Sequence, residues 1–253
     1  PDGWLLKGGQ ALLVRYPDAR HSRDIDLCGT TTTSLDEAVA ALERAAALDL
    51  QDHLRFSLRS RDDRLEGNGT TRLRFDVRLG GRVIPNGISA DVVVGRHPIG
   101  QPTRKQLESA VPLEWLAGYP IVALYPAIDH VADKVCAMYE KHGTDQIAST
   151  RYRDLVDLIL IALREPLDGR ELHLALHAEV TRRTARGTHL RLPVSFTIPG
   201  PAWPAGYRAA AAAVAGLVDY RTIEPAAVLA RTLLDPLLGE DNPPAHWDPD
   251  QLR

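Results

Sequence analysis

The pair Gly8-Gly9, followed after a short helix by Arg23-Asp24-Ile25-Asp26-Leu27, constrains this chain more than any other stretch. Glycines let a backbone approach phosphate oxygens closely, and a helix N-terminus favours negative charge. If 24–27 is a strand, its period of two puts Asp24 and Asp26 on one face and Ile25 and Leu27 on the other. Two carboxylates on one face can share divalent metal ions, while the apolar pair anchors the strand in a core.

At 253 residues, 44% hydrophobic and 25% charged, the chain has a globular composition and can bury a core in one large domain or two smaller ones. No run is long and apolar enough to cross a membrane. The N-terminus carries no signal-peptide pattern, and Pro1-Asp2-Gly3 reads like the middle of a longer chain. Cys28 and Cys136 make neither a metal-site spacing nor a disulfide framework, so a reducing cytoplasm is the expected location. A net charge of -3 gives no global basic field. Yet Arg55, Arg59, Arg61, Arg64, Arg72, Arg74, Arg78 and Arg82 crowd one segment, which reads either as a solvated strand face or as an RNA-facing patch.

The patterning predicts an α+β (mixed α/β) chain. A strand over 3–7, a helix over 9–16 and a strand over 23–27 come first. A helix capped by Ser34 then continues to about residue 48. Leu54, Phe56 and Leu58 alternate with Arg55, Ser57 and Arg59, and Leu73, Phe75, Val77 and Leu79 alternate with Arg72, Arg74, Asp76 and Arg78, as in half-buried strands. Gly80-Gly81 marks a turn, and a strand over 88–94 follows. Residues 1–100 therefore form a mixed-sheet core, and 101–253 form a mainly helical C-terminal domain. Its helices are expected over 128–141, 152–163, 169–186, 205–218 and 224–238. A loop is expected over 143–150, and a loosely ordered acidic tail from residue 239.

Several polar residues stand out against this frame. Asp91 lies in the otherwise apolar Ile88-Ser89-Ala90-Asp91-Val92-Val93-Val94, where a lone carboxylate is costly unless paired or metal-bound. It is read as a metal ligand or as a structural hydrogen-bonding group. Asp76, alternating with arginines, reads as a solvated strand residue. Lys134, amid Val131, Val135, Ala137 and Met138, is either a phosphate clamp or a snorkelling surface lysine. Asp154 and Asp157 share a helix face, as functional acids or as first-turn acids favourable to the helix dipole. His173 and His177 have metal spacing but lack the Glu of H-E-x-x-H and a third ligand, so they read as surface residues. An EF-hand fails at Cys28 and Leu35. The 87–91 stretch lacks the second glycine of a nucleophile elbow, and there is no Walker A motif.

Taken together, Lys7-Gly8-Gly9 with Arg20-His21-Ser22-Arg23-Asp24-Ile25-Asp26-Leu27 resembles the first motif of the AbiEii-type nucleotidyltransferases. These belong to the DNA polymerase β-like superfamily, include the MenT-like toxins, and act as toxins of bacterial toxin–antitoxin and abortive-infection systems. Ala132-Asp133-Lys134-Val135-Cys136-Ala137 resembles their lysine motif, and Arg153-Asp154-Leu155-Val156-Asp157-Leu158 their final acidic motif. Gly8-Gly9-Gln10 departs from the Gly-Ser of many polymerase β-like enzymes.

The resemblance implies a polymerase β-like core followed by a C-terminal helical bundle that completes the active site. It implies transfer of a nucleoside monophosphate from an NTP, with Mg²⁺ (or Mn²⁺) held by Asp24, Asp26 and Asp91. Gly8, Gly9, Ser22 and Lys134 would bind the nucleotide phosphates, with Ser22 supplying the hydroxyl that Gln10 lacks. Asp154 would orient Lys134 or the acceptor. The implied acceptor is the 3′ end of tRNA, contacted by the arginine-rich strands and by Arg182, Arg183 and Arg186, and the implied protein partner is a cognate antitoxin. Modification of a small molecule or a protein, and a catalytically silent nucleotide-binding regulator, are the alternatives.

Overall fold

The computed structural model describes residues 3–63, 69–108, 119–142, 147–239 and 245–253. Arg64, and the parts of the expected 143–150 loop and acidic tail at 143–146 and 240–244, lie outside the described residues. The chain divides into two compact units. One comprises Pro1–Arg15, His21–His97 and Pro102–Tyr125, and the other comprises Tyr16–Arg20, Pro98–Gln101 and Pro126–Arg253.

The first unit is built on a mixed sheet. Its elements are β1 (Trp4–Lys7), α1 (Gly8–Arg15), β2 (Asp24–Gly29), α2 (Leu35–Ala46), β3 (Leu54–Asp62), β4 (Thr70–Leu79), β5 (Arg82–Val93), β6 (Thr103–Gln106) and β7 (Ile121–Leu124). The seven strands lie in the order β3-β4-β5-β2-β1-β7-β6. β3, β4 and β5 form an antiparallel meander. The β4–β5 turn is made by Gly80 and Gly81, whose positive φ values of 55° and 84° suit a tight hairpin. β2 pairs parallel with β5 and antiparallel with β1. β6 and β7 extend this sheet beyond the 1–100 span read from the sequence, because β7 pairs parallel with β1.

The alternation expected of these strands divides the two faces of the sheet. Leu73, Phe75, Ala90 and Val92 are buried with Ala38 and Val39 of α2, and Ile25, Phe56 and Leu58 pack against them. α2 starts where Ser34 Oγ accepts a hydrogen bond from the Glu37 N–H at 3.3 Å, satisfying one of the donors that a helix N-terminus leaves open. The opposite face carries the polar residues of β2, β4 and β5.

The second unit is mainly helical, with α3 (Ala127–Tyr139), α4 (Tyr152–Ala162), α5 (Gly169–Ala185), α6 (Trp203–Ala211) and α7 (Ile223–Leu238). α4 is buried without interruption from Asp154 to Ala162, as expected of a helix apolar on nearly every side, and it packs against α3, α6 and α7. Trp203 and Trp247 are buried beside it, and both indole N–H groups are satisfied, by Ser149 O at 2.9 Å and Ala162 O at 2.8 Å.

Three local expectations are corrected here. The helix over 205–218 ends at Ala211. Val214 is extended, and the chain resumes as a 3₁₀ turn over Ala215–Tyr220. Alanine-rich propensity favours a longer helix, but burial of Ala211, Val214 and Leu217 overrides it. Ile147–Ala148, expected in a loop, pairs with Glu140–His142 in a small sheet that also includes His189–Leu190. The tail is not loose at its end, because His246–Trp247 pairs with Leu167–Asp168 and Trp247 is buried.

Candidate active site

In the first unit the site is set by strand register. Lys7, Asp26, Asp91 and Arg72 lie side by side on β1, β2, β5 and β4, so one row across four strands reads cation, anion, anion, cation. In-register partners share a face. Asp24, Ser89 and Arg74 form the next row of the same face. Ile25 points the other way into the core, as the sequence predicts for a strand with period two.

Gly8 opens α1 with φ +61°, a conformation that side chains disfavour. A Cβ placed there would meet Asp26 Oδ2 at 1.9 Å, so the Asp26 carboxylate occupies the space that a side chain at residue 8 would need. The carboxylate therefore rests against the N-terminus of α1, where the helix dipole favours its charge. Gly9 is buried beneath it in α1. The loop entering β2 is tied down: Gln10 Nε2 donates to Ser22 O at 2.9 Å, and Ser22 Oγ donates to Asp24 O at a long 3.4 Å.

Asp91 is held by Arg72, whose Nε and Nη2 donate to Oδ1 and Oδ2, each at 2.6 Å. That fork-to-fork geometry fixes the orientation of the carboxylate as well as pairing its charge. Asp91, Asp26 and Asp24 all help to hold the Arg72 guanidinium charged. Among the described residues no three carboxylate, histidine or cysteine side chains converge in a metal-binding group. Asp24 and Asp26 offer two hard-oxygen ligands of the kind a divalent cation takes, with Asp26 seated in the space that Gly8 leaves, while Asp91 is turned to its arginine.

In the second unit the surface reading of Lys134 does not hold, because the residue is only 6% exposed. Its ammonium donates to Asp157 Oδ2 at 2.6 Å and to Asp154 Oδ1 at 3.2 Å. Arg20 Nε and Nη2 donate to the two oxygens of Asp157 at 2.8 and 2.7 Å, and Arg151 Nε donates to Asp154. Burial by itself pushes the Lys134 pKa down, but the attraction of Asp157 and Asp154 overrides it and raises it above the ordinary lysine value. Burial likewise pushes Asp154 up, and the Lys134 and Arg151 charges more than reverse this, holding it below the usual carboxylate range. Asp154 lies in the first turn of α4 as expected, but it is buried and paired rather than solvated.

Other expectations resolve individually. Asp76 is 46% exposed and lies 3.8 Å from Arg59, the solvated strand residue that its neighbours implied. The rings of His173 and His177 lie 4.3 Å apart, and they belong to no metal-binding group of the described residues. Arg182 and Arg183 are engaged by Glu179, and Arg183 also by Glu140, so these two guanidiniums serve the packing of α5. Arg55 and Arg61 pair with Asp49 and with Asp36 and Asp63, whereas Arg74 and Arg78 are exposed. Arg20 and Arg72 were not singled out as site residues from the sequence. Arg20 lies at a fixed offset before the D-x-D, whereas Arg72 is brought to Asp91 only by the pairing of β4 with β5.

A model of the AbiEii nucleotidyl transferase toxin of type IV toxin–antitoxin systems matches residues 1–228. The chain belongs to the AbiEii nucleotidyltransferase toxin family. No curated protein matches it in sequence. The fold is similar to that of MenT4, a nucleotidyltransferase toxin from Mycobacterium tuberculosis H37Rv, with a TM-score of 0.52 and 19% identity over 90% of this chain and 85% of that one. JHP933 from Helicobacter pylori is a more distant match, with a TM-score of 0.39 and 17% identity over 73% of this chain and 72% of that one. As an AbiEii-family protein the chain is a nucleotidyltransferase toxin. Its family takes an NTP and a divalent metal and has an antitoxin partner. No helix among the described residues is long and apolar enough to cross a membrane.

Proposed function

We propose that this toxin transfers a nucleoside monophosphate from an NTP to the 3′ end of tRNA in a Mg²⁺-dependent reaction, and so blocks aminoacylation and translation. The observation that carries the reading is the seat of Asp26 against Gly8, on the same face as Asp24, in a chain of the AbiEii family. In this reading the acceptor hydroxyl oxygen bonds to the α-phosphorus as the bond to the bridging oxygen breaks, pyrophosphate leaves, and the hydroxyl proton passes to solvent. The bound metal supplies neutralisation of the phosphoryl charge.

The chain's own groups do the rest. Asp24 and Asp26 would hold the metal, and Asp91 would join them as the third carboxylate on release from Arg72. Gly8 and Gly9, at the start of α1, would let the backbone come close to phosphate oxygens. The long bond from Ser22 Oγ lets that hydroxyl turn to a terminal phosphate at small cost. Lys134 directs two of its three protons at Asp154 and Asp157, and the third is proposed to meet a phosphate oxygen. Asp154 keeps Lys134 charged and aimed. Arg74 and Arg78 are exposed and are proposed to meet tRNA phosphates, because Arg182 and Arg183 are already engaged.

The test is incubation of the protein with Mg²⁺, total tRNA and each α-labelled NTP in turn, using intact tRNA and tRNA whose 3′-terminal diol has been oxidised with periodate. Label on intact tRNA alone supports the reading. Label on the oxidised tRNA places the modification elsewhere, and no label with any NTP removes tRNA as the acceptor.

A further inference from the structure

We infer that Arg72 is a built-in competitor of the catalytic metal: it holds Asp91 away from the ion and thereby sets how tightly the site binds it. The inference rests on the metal-site reading of Asp24 and Asp26 given above. Asp91 is the in-register neighbour of Asp26, on the same sheet face, and is the residue best placed to complete a three-carboxylate set. Both of its oxygens are instead taken by the Arg72 fork at 2.6 Å. A carboxylate so clasped still has lone pairs, but any cation approaching them also approaches a guanidinium that is always charged.

The pair is poised to yield. Asp91 is 28% exposed and Arg72 40%, so neither needs a partner as a fully buried ion would, and solvent weakens the clasp. Arg72 is electrostatically coupled to Asp24 and Asp26 as well, but more weakly than to Asp91, so its opposition to a metal is concentrated at Asp91. The arrangement lets the three carboxylates share a face without unrelieved repulsion when no metal is present.

An ordinary supporting arginine would behave in the opposite way. A group that merely orients a metal ligand raises metal affinity, and its loss weakens binding about 10–100-fold. A competitor raises affinity when removed. The sign of the effect therefore separates the two roles.

The experiment measures Mn²⁺ binding to the full chain by the loss of the free-ion electron paramagnetic resonance signal, without nucleotide, in wild type, Asp26→Asn, Arg72→Gln, Arg72→Lys and Arg72→Gln/Asp91→Asn. Thermal unfolding verifies that each variant is folded. Arg72→Gln is expected to bind Mn²⁺ about tenfold more tightly, through relief of the repulsion between the guanidinium and the ion. Arg72→Lys, which keeps the charge but not the fork, should gain less, and the double variant should lose the gain. Unchanged or weaker binding in both arginine variants overturns the inference, as does a gain that survives Asp91→Asn. If Asp26→Asn leaves wild-type binding unaltered, the metal-site reading itself fails, and the two failures are told apart by that control.

Discussion

Arg20 clasps Asp157 through two guanidinium nitrogens, at 2.8 and 2.7 Å, and the same carboxylate receives the Lys134 ammonium at 2.6 Å. Asp157, only 1% exposed, thus carries two cations at once, while Asp154 takes the longer bond from Lys134 and a second arginine. The lysine motif and the final acidic motif are one ionic cluster, in which Asp157 bears the structural load and Asp154 tunes the lysine.

Asp157→Asn is therefore expected to destabilise the protein by about 3 kcal/mol, because it leaves the buried Lys134 and the half-buried Arg20 short of charge. Urea unfolding of the variant beside Asp24→Asn checks this. Asp24 lies on a half-buried face among other carboxylates, so its neutralisation should leave stability unchanged or raise it, as at sites kept for function. Equal destabilisation by the two variants would contradict the division of roles.

The cluster also fixes a pH dependence. Asp154 has a lowered pKa when folded, so its contribution to stability is present above its unfolded value of about 3.9 and is lost as pH falls through the folded value. Lys134 has a raised pKa, so its contribution is present below its unfolded value of about 10.4 and is lost as pH rises through the folded value. The stability difference between wild type and Asp154→Asn should be flat from about pH 5 to about pH 9 and shrink on further acidification. Unfolding midpoints from about pH 9 down to about pH 3 measure it. A difference that grows on acidification would have the wrong sign.

Gly8→Ala is expected to cost about 100-fold in nucleotidyl transfer with the fold retained. The new Cβ would meet the Asp26 carboxylate at 1.9 Å, and the +61° φ is strained for alanine, so the carboxylate must move. Initial rates with the variant, beside its circular dichroism spectrum, test this. Near-normal rates would show that the seat of Asp26 is dispensable.

Neutralising Arg74 and Arg78 should weaken tRNA binding evenly across tRNA sequences and lower the slope of log affinity against log salt by about 1 per arginine. Arg182→Gln and Arg183→Gln should instead lower stability, because each removes a partner of Glu179. Filter binding at several salt concentrations and thermal unfolding separate the two effects.

The features legible in the sequence are those encoded locally. Asp24 and Asp26 share a face because strand period is two, Ser34 caps α2 through its own side chain, and Gly80-Gly81 makes its turn without outside help. What was not legible depends on partners far along the chain. Lys134 looks like a surface lysine until Asp157, 23 residues on, and Arg20, 137 residues before Asp157, are brought to it. Asp91 announced a need for a partner, but a metal and an arginine satisfy that need equally well in sequence terms. Only the β4–β5 register brings Arg72 beside it. The alanine-rich helix was read too long for the same reason, since its end is set by packing around Val214 rather than by propensity.

The most direct test of the central claim compares α-labelled with γ-labelled NTP, given with Mg²⁺ and total tRNA to wild type, Asp26→Ala and Lys134→Met. The account predicts that the α-label alone moves to the acceptor, that the γ-label leaves in pyrophosphate, and that both variants lose the transfer. Transfer of the γ-label, or undiminished transfer of the α-label by Asp26→Ala, would contradict it.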